Sequence, residues 1–210
     1  MHEAADTRSV GVIVAHPDDE TLWVGGAILR HPAWRCRIFT LCRGNDRDRA
    51  PKFYRVLEAL GATGGMADLD DDPEQTPLDD ALLRRTVGEL VAGERFDLLF
   101  THGPDGEYTR HRRHEETSRV VTALWRAGTL RAGALWHFAY EDGGRAYLPR
   151  PAAEADWRCV LPETIWMAKY RLIQGLYGFA PESWEARTTP REEAFRRVSA
   201  PNRNEYMHGG

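Results

Sequence analysis

An α/β protein built on a mostly parallel central sheet is predicted from three observations. Short apolar runs rich in valine, leucine and phenylalanine alternate with longer stretches of helical periodicity. The order strand then helix repeats four times, which implies parallel strands joined by helices that cover both faces. The strand runs are nearly continuous in apolar residues, as strands buried on both faces are.

Each element has its own signal. Residues 9–15 (SVGVIVA) form the first buried strand, and from residue 19 to residue 30 the pattern turns helical, with Gly25 and Gly26 letting that helix approach the sheet. Residues 37–42 (RIFTLC) read as the second strand. Residues 51–60 (PKFYRVLEAL) read as a helix with proline near its start and Gly61 just past its end. A short strand at 66–69, a helix at 78–92, a strand at 96–101 (FDLLFT) and a helix at 112–127 complete the four units. Residues 134–140 (ALWHFAY) and 157–161 (WRCVL) are further strands, and a long helix is expected over 162–178. In that helix Trp166, Tyr170, Ile173 and Tyr177 form one apolar stripe and Ile165, Ala168, Leu172 and Leu176 another. Two stripes imply burial on more than one side, the aromatic one as core or as the wall of a groove. Residues 68–77 (DLDDDPEQTP) read as an acidic loop leaving the third strand, either solvated or supporting a site and contacting its ligand. From residue 181 the chain is polar, arginine-rich and poor in periodicity. The expected organisation is a single domain over residues 1–210, a Rossmann-like three-layer sandwich, with 181–210 a polar C-terminal extension.

Composition narrows the function. With 210 residues, 42% of them hydrophobic, there is enough apolar material for one substantial core and little room for a second. A formal net charge of −4 and the absence of a long lysine or arginine run argue against a nucleic-acid partner, so small molecules are the expected ligands. No stretch approaches the roughly 20 apolar residues of a membrane span, and no apolar segment precedes the first strand, so a cytoplasmic location is expected. Cys36, Cys42 and Cys159 are an odd number without CxxC spacing, which points to reduced thiols rather than disulfides or a cysteine zinc site. A homo-oligomer, with the arginine-rich tail packed on a neighbour, is compatible with these features.

The chemistry concentrates where strands end. In open parallel sheets, ligands bind beyond the carboxyl ends of the strands. There the first strand runs into residues 14–20 (VAHPDDE), one imidazole and three carboxylates in a short turn. Pro17 disfavours helical geometry at His16, and Asp18 or Asp19 can cap the following helix. A capping turn needs only one acid. His16 and Asp19 have the nitrogen and oxygen chemistry of zinc ligands, and a catalytic zinc takes three protein ligands and leaves one position for water. The third ligand must come from elsewhere, and the candidate source is residues 101–117 (THGPDGEYTRHRRHEET), which leave the FDLLFT strand at the same edge and carry His111 and His114. Of these two, spaced i,i+3, one can bind metal while the other faces a reacting carbonyl, and His114 falls on the core-facing stripe with Ser118, Val121 and Trp125. His102 reads as structural or supporting. His2, His31, His137 and His208 have no comparable neighbours. A dinucleotide site is disfavoured, because HPDDE stands where a glycine-rich phosphate turn would be needed.

The motifs AHPDDE (residues 15–20) and GEYTRHRRH (residues 106–114), with the element order between residues 10 and 125, resemble the LmbE-like, or PIG-L, family of zinc-dependent N-acetylglucosaminyl deacetylases. The resemblance implies that His16, Asp19 and His114 are the metal ligands, that Asp18 is the general base and that His111 assists at the carbonyl or leaving group. It also implies that Arg49, ahead of the second helix, contacts substrate. The implied cofactor is Zn2+, with another divalent metal as an alternative. The implied reaction is removal of the acetyl group from an N-acetylated amino sugar of the N-acetylglucosamine type, or from its conjugate. Water would lose its proton to Asp18, and the oxyanion would be held by zinc and protonated His111. Lys52 stands where members often have glutamate, and Arg110 where they often have glycine; both bear on sugar specificity rather than on the metal set. Arg43, Arg47, Arg49, Lys52 and the arginines of residues 110–113 gather at the same edge, either solvated or facing an anionic substituent. The rival readings are a zinc amidase for a different acyl or conjugate amide, and a non-catalytic metal- or carbohydrate-binding relative. The latter should have lost Asp18 or the His-x-x-His pair, and both are intact.

Overall fold

A computed structural model describes residues 7–200. The apolar runs become β1 (Ser9–Val14), β2 (Arg35–Cys42), β3 (Thr63–Leu69), β4 (Phe96–Thr101) and β5 (Ala132–Phe138), all parallel. The crossovers are α1 (Asp19–Arg30), α2 (Arg49–Ala59), α3 (Asp80–Leu90) and α4 (Arg112–Arg126). Two short strands, β6 (Tyr140–Glu141) and β7 (Arg150–Pro151), pair as a separate ribbon. The chain then forms β8 (Trp157–Val160), α5 (Glu163–Arg171), α6 (Trp184–Thr188) and β9 (Glu192–Arg197). The main sheet has the order β3-β2-β1-β4-β5-β9-β8, with β9 antiparallel to both neighbours.

Burial follows the strand alternation. Val10, Val12 and Val14 of β1 pack with Trp23 of α1 and Phe53 and Val56 of α2 on one face. Ile13 packs with Leu83 and Val87 of α3 and Val120 and Val121 of α4 on the other. The chain builds outward from β1 to β3 and then returns to lay β4 beside β1. That reversal separates the loops after β1 and β4 and opens a crevice between them, the place where such sheets bind ligands.

Several elements differ from the sequence expectation. β3 starts at Thr63 rather than residue 66, because glycine lets it lie against β2; a Cβ on Gly64 would sit 1.7 Å from the Ile38 carbonyl oxygen. The strand expected over 134–140 stops at Phe138, and Tyr140 turns away into β6. The helix expected over 162–178 is α5 followed by a π-helical turn, Leu172–Leu176. Its aromatic stripe belongs to the core, with Ile173 and Tyr177 buried and Trp166 stacked on Tyr170.

The largest correction concerns residues 181–210. They are not simply a polar extension: α6 and β9 lie within them, and β9 enters the main sheet between β5 and β8. Its Glu193 is fully buried, accepting from Lys169 Nζ at 2.7 Å and from the Gly26 and Ala27 amides of α1 at 2.7 Å each. Gly26 makes that approach possible, since a Cβ there would meet Leu161 at 2.4 Å. Ala194 and Phe195 of β9 are buried as well, but with a paired glutamate on the inward face the strand carries no apolar alternation to read. Residues 201–210, with His208, and residues 1–6, with His2, lie outside the described residues.

Among the described residues no helix is long and apolar enough to cross a membrane. Cys36, Cys42 and Cys159 are free and buried, and burial pushes the Cys36 thiol up to about 12.

Candidate active site

The crevice between the β1 and β4 loops brings the six predicted residues together: His16, Asp18, Asp19, Arg49, His111 and His114. His16 and Asp19 come from the turn after β1. The Asp19 carboxylate closes that turn by accepting the His16 backbone N–H at 2.9 Å, and Trp23 donates to its other oxygen at 3.1 Å. His114 comes from the first turn of α4, and His111 is the residue that caps that helix in extended geometry.

Three side-chain atoms converge. His16 Nδ1 lies 3.2 Å from Asp19 Oδ2, Asp19 Oδ2 lies 3.3 Å from His114 Nε2, and His114 Nε2 lies 3.3 Å from His16 Nδ1. Their far sides fix what each offers. His16 Nε2 is 3.0 Å from the acceptor-only Asp71 Oδ1 and His114 Nδ1 is 2.6 Å from Glu107 Oε2, so each of these outer nitrogens carries a proton. The inner nitrogens both face the Asp19 carboxylate, a place that a proton or a metal cation can fill. A near-equilateral triangle with edges of about 3.3 Å is what roughly 2.0–2.1 Å bonds at tetrahedral angles require. The residues therefore fit a divalent metal, and the carboxylate behind each imidazole is the arrangement that orients metal-binding histidines.

His102 is stacked on His114 at 3.9 Å between ring centroids and lies in the same cluster, but it is spoken for. The Ala15 amide donates to its Nε2 at 2.9 Å, and its Nδ1 donates to Glu107 at 2.8 Å. The carboxylates of Glu107 and Asp19 pull its pKa upward, but the amide aimed at Nε2 leaves no room for a second proton, so the ring is neutral. Glu107 is fully buried. Burial opposes its ionisation, yet the His102 and His114 N–H groups that donate to it lower its pKa.

Asp18 adopts φ 116°, a left-handed backbone that is uncommon for a residue with a side chain. Its side chain does not cap α1, contrary to one sequence expectation, and its carboxylate is left to the pocket and to Arg49, whose guanidinium lies 3.3 Å away. Burial and the adjacent Asp19 push the Asp18 pKa well up. Arg49 is itself held against the Phe179 ring, 4.5 Å from its centroid.

His111 completes this wall. Its ring lies 4.6 Å from that of His16 and 4.4 Å from that of His114, centroid to centroid. Burial and the neighbouring His114 and His16 rings push its pKa down to about 3, so it is a neutral imidazole.

The pocket, about 240 Å³, is lined by these groups, by Arg43 and Asp71, and by Tyr108, Trp184 and Glu185. Tyr108 and Trp184 pack edge to face, 4.5 Å between centroids. Of the cationic cluster only Arg43 and Arg49 reach the pocket. Arg47, Arg110 and Arg112 are exposed, and Lys52 pairs with Asp48. Arg113 is buried and grips residues 70–76 through the Asp70 and Thr76 carbonyls and the Asp70 carboxylate. Most of the acidic loop 68–77 is exposed, but two of its side chains enter the site: Asp71 bridges His16 and Arg43, and Gln75 reaches His111. Burial disfavours the Asp71 charge, but hydrogen bonds from His16 and Arg43 hold its pKa at about 2. Sequence reasoning missed Asp71, Gln75, Glu107, Tyr108 and Trp184. For Asp71 and Gln75 the available signal was position, since their loop leaves β3 at the ligand-binding edge.

The PIG-L family model, described as GlcNAc-PI de-N-acetylase, matches residues 11–125. No curated protein matches the sequence. Among solved structures, the fold is similar to N,N'-diacetylchitobiose deacetylase from Pyrococcus horikoshii in complex with its inhibitor MPG. The identity is 16% and the TM-score 0.69, over 92% of this chain and 84% of that one. It is also similar to the 4-carboxy-2-hydroxymuconate hydratase from Pseudomonas putida, at 16% identity and a TM-score of 0.62, over 93% of this chain and 98% of that one. A third is the zinc-inhibited form of teicoplanin deacetylase, at 11% identity and a TM-score of 0.64, over 90% of this chain and 98% of that one. At such identities the likeness speaks to the fold.

Proposed function

Because the chain belongs to the PIG-L family of GlcNAc-PI de-N-acetylases, we propose that it is a zinc-dependent hydrolase that removes the acetyl group from an N-acetylated amino sugar or its conjugate. The observation that carries the reading is the triangle of converging atoms on His16, Asp19 and His114 beside an uncapped Asp18 carboxylate. His16 Nδ1, Asp19 Oδ2 and His114 Nε2 would hold the metal. When bound, it supplies Lewis acidity toward a water and toward the amide carbonyl.

The chain's own groups do the rest. The Asp18 carboxylate takes the proton of the attacking water, and its raised pKa makes it a stronger base than a solvated aspartate. His111 donates a hydrogen bond to the oxygen that gains charge as the carbon becomes tetrahedral. As the C–N bond breaks, the protonated Asp18 returns the proton to the leaving nitrogen, so acetate and a free amine are the products. Arg49 holds the Asp18 carboxylate in place and offers its remaining N–H groups to substrate. The Tyr108 and Trp184 faces suit the apolar face of a sugar ring, which supports an amino sugar over a larger acyl conjugate.

The test is amine release from a panel of N-acetylated amino sugars and N-acyl analogues, using zinc-loaded protein with Asp18→Asn as control. Release from acetamides that disappears in the variant is the expected result. Preference for a longer acyl group would move the assignment to a different amidase. No cleavage by protein that binds zinc stoichiometrically would leave a binding site without this chemistry.

A further inference from the structure

One residue decides how the two His111 nitrogens are used. The Arg112 backbone N–H donates to Gln75 Oε1 at 3.0 Å, which fixes the orientation of the Gln75 amide. Its Nε2, the donor end, is then 3.3 Å from His111 Nε2. A ring nitrogen that receives an N–H must be the lone-pair nitrogen, so the proton belongs on Nδ1. That atom is buried and has no hydrogen-bond partner among the described residues. Gln75 holds φ 44°, a left-handed conformation uncommon for a residue with a side chain, in a loop pinned by buried Arg113.

We propose that Gln75 is a positioning residue that fixes His111 as the Nδ1–H tautomer, leaving that N–H as the ring's one uncommitted donor. The donor's use on an acetamide oxygen rests on the deacetylase reading above; the tautomer itself does not. A neutral amide, in place of the carboxylates behind His16 and His114, suits a ring that must give a hydrogen bond rather than bind metal.

The experiment is long-range 1H–15N correlation spectroscopy of histidine-labelled, zinc-loaded protein at neutral pH, with kcat and KM measured alongside. In the wild-type protein His111 shows a protonated Nδ1 and an unprotonated Nε2. Gln75→Glu keeps the size but cannot donate, so the proton appears on Nε2, and kcat falls about 10²-fold with KM nearly unchanged, the loss expected for one oxyanion donor. Gln75→Leu, which neither donates nor accepts, gives a mixture of tautomers and a smaller fall, and serves if the glutamate variant does not fold. A wild-type ring protonated on Nε2, a His111 Nδ1 bound to zinc, or a glutamate variant with unchanged shifts and kcat would each overturn the proposal. Should no acetamide be cleaved, the spectra still decide the tautomer, so failure of the function and failure of this inference remain distinguishable.

Discussion

A residue with a side chain held at φ 116° is strained, at a cost on the order of 1–3 kcal/mol, and Asp18 carries that strain beside the converging His16, Asp19 and His114 atoms. Asparagine tolerates left-handed backbone, so Asp18→Asn is expected to fold and to keep one metal per chain while kcat falls by at least about 10²-fold. Elemental analysis and a turnover assay read the two quantities separately, and a fully active variant refutes the base assignment. Glu107 acts one step back. With Glu107→Gln, the amide has one accepting end where the carboxylate has two, so it cannot take the His102 and His114 N–H groups and the Gly103 N–H together, and metal affinity is expected to fall about 10- to 100-fold in competition with a chelator. Unchanged affinity would mean that the helix alone orients His114. The residues legible beforehand were those whose chemistry is dense in sequence: His16, Asp18 and Asp19 in one turn, His111 and His114 one helical turn apart. Asp71 and Gln75 were not, because their partners lie 55 and 36 positions away and an acidic loop is ordinarily solvated.

Among the elements, β1 to β4 and their helices could be read because each buries its own apolar residues with a period of its own. β9 could not. Its buried face is set by a charge, Glu193, whose partner Lys169 is 24 positions earlier, and by amides that α1 exposes only because Gly26 has no side chain. Both partners are fully buried, so removing one strands the other. Lys169→Met is expected to destabilise the protein by about 3–5 kcal/mol in urea denaturation, and adding Glu193→Gln to restore part of that loss. Equal and additive losses in the two single variants would show that the pair is not coupled. The π-helical turn after α5 was hidden for a related reason: its residues have helical periodicity, and nothing local marks the extra residue.

For the whole molecule, the α/β class and the mostly parallel sheet were legible from the alternation, whereas the closing edge of the sheet was not, because β9 arrives last in sequence and inserts between strands already made. A chain ending at residue 180 therefore lacks the strand that β5 and β8 share, and its circular dichroism is expected to melt without cooperativity. A chain ending at residue 200 should melt as the full chain does. A cooperative melt of the shorter form would return residues 181–210 to the status of an appendage. The reversal of strand order has a mechanical side as well. His16 and His114 stand 98 positions apart, yet their ring nitrogens meet at 3.3 Å over the gap between β1 and β4. An ion gripped there would rivet the first βα unit to the fourth, closing a long loop whose entropic cost grows only logarithmically with its length. Chelation would then loosen the molecule from one end, exposing amides after β1 and β4 to exchange while the β8–β9 edge stays shut, so that the same ion would serve as reagent and fastener.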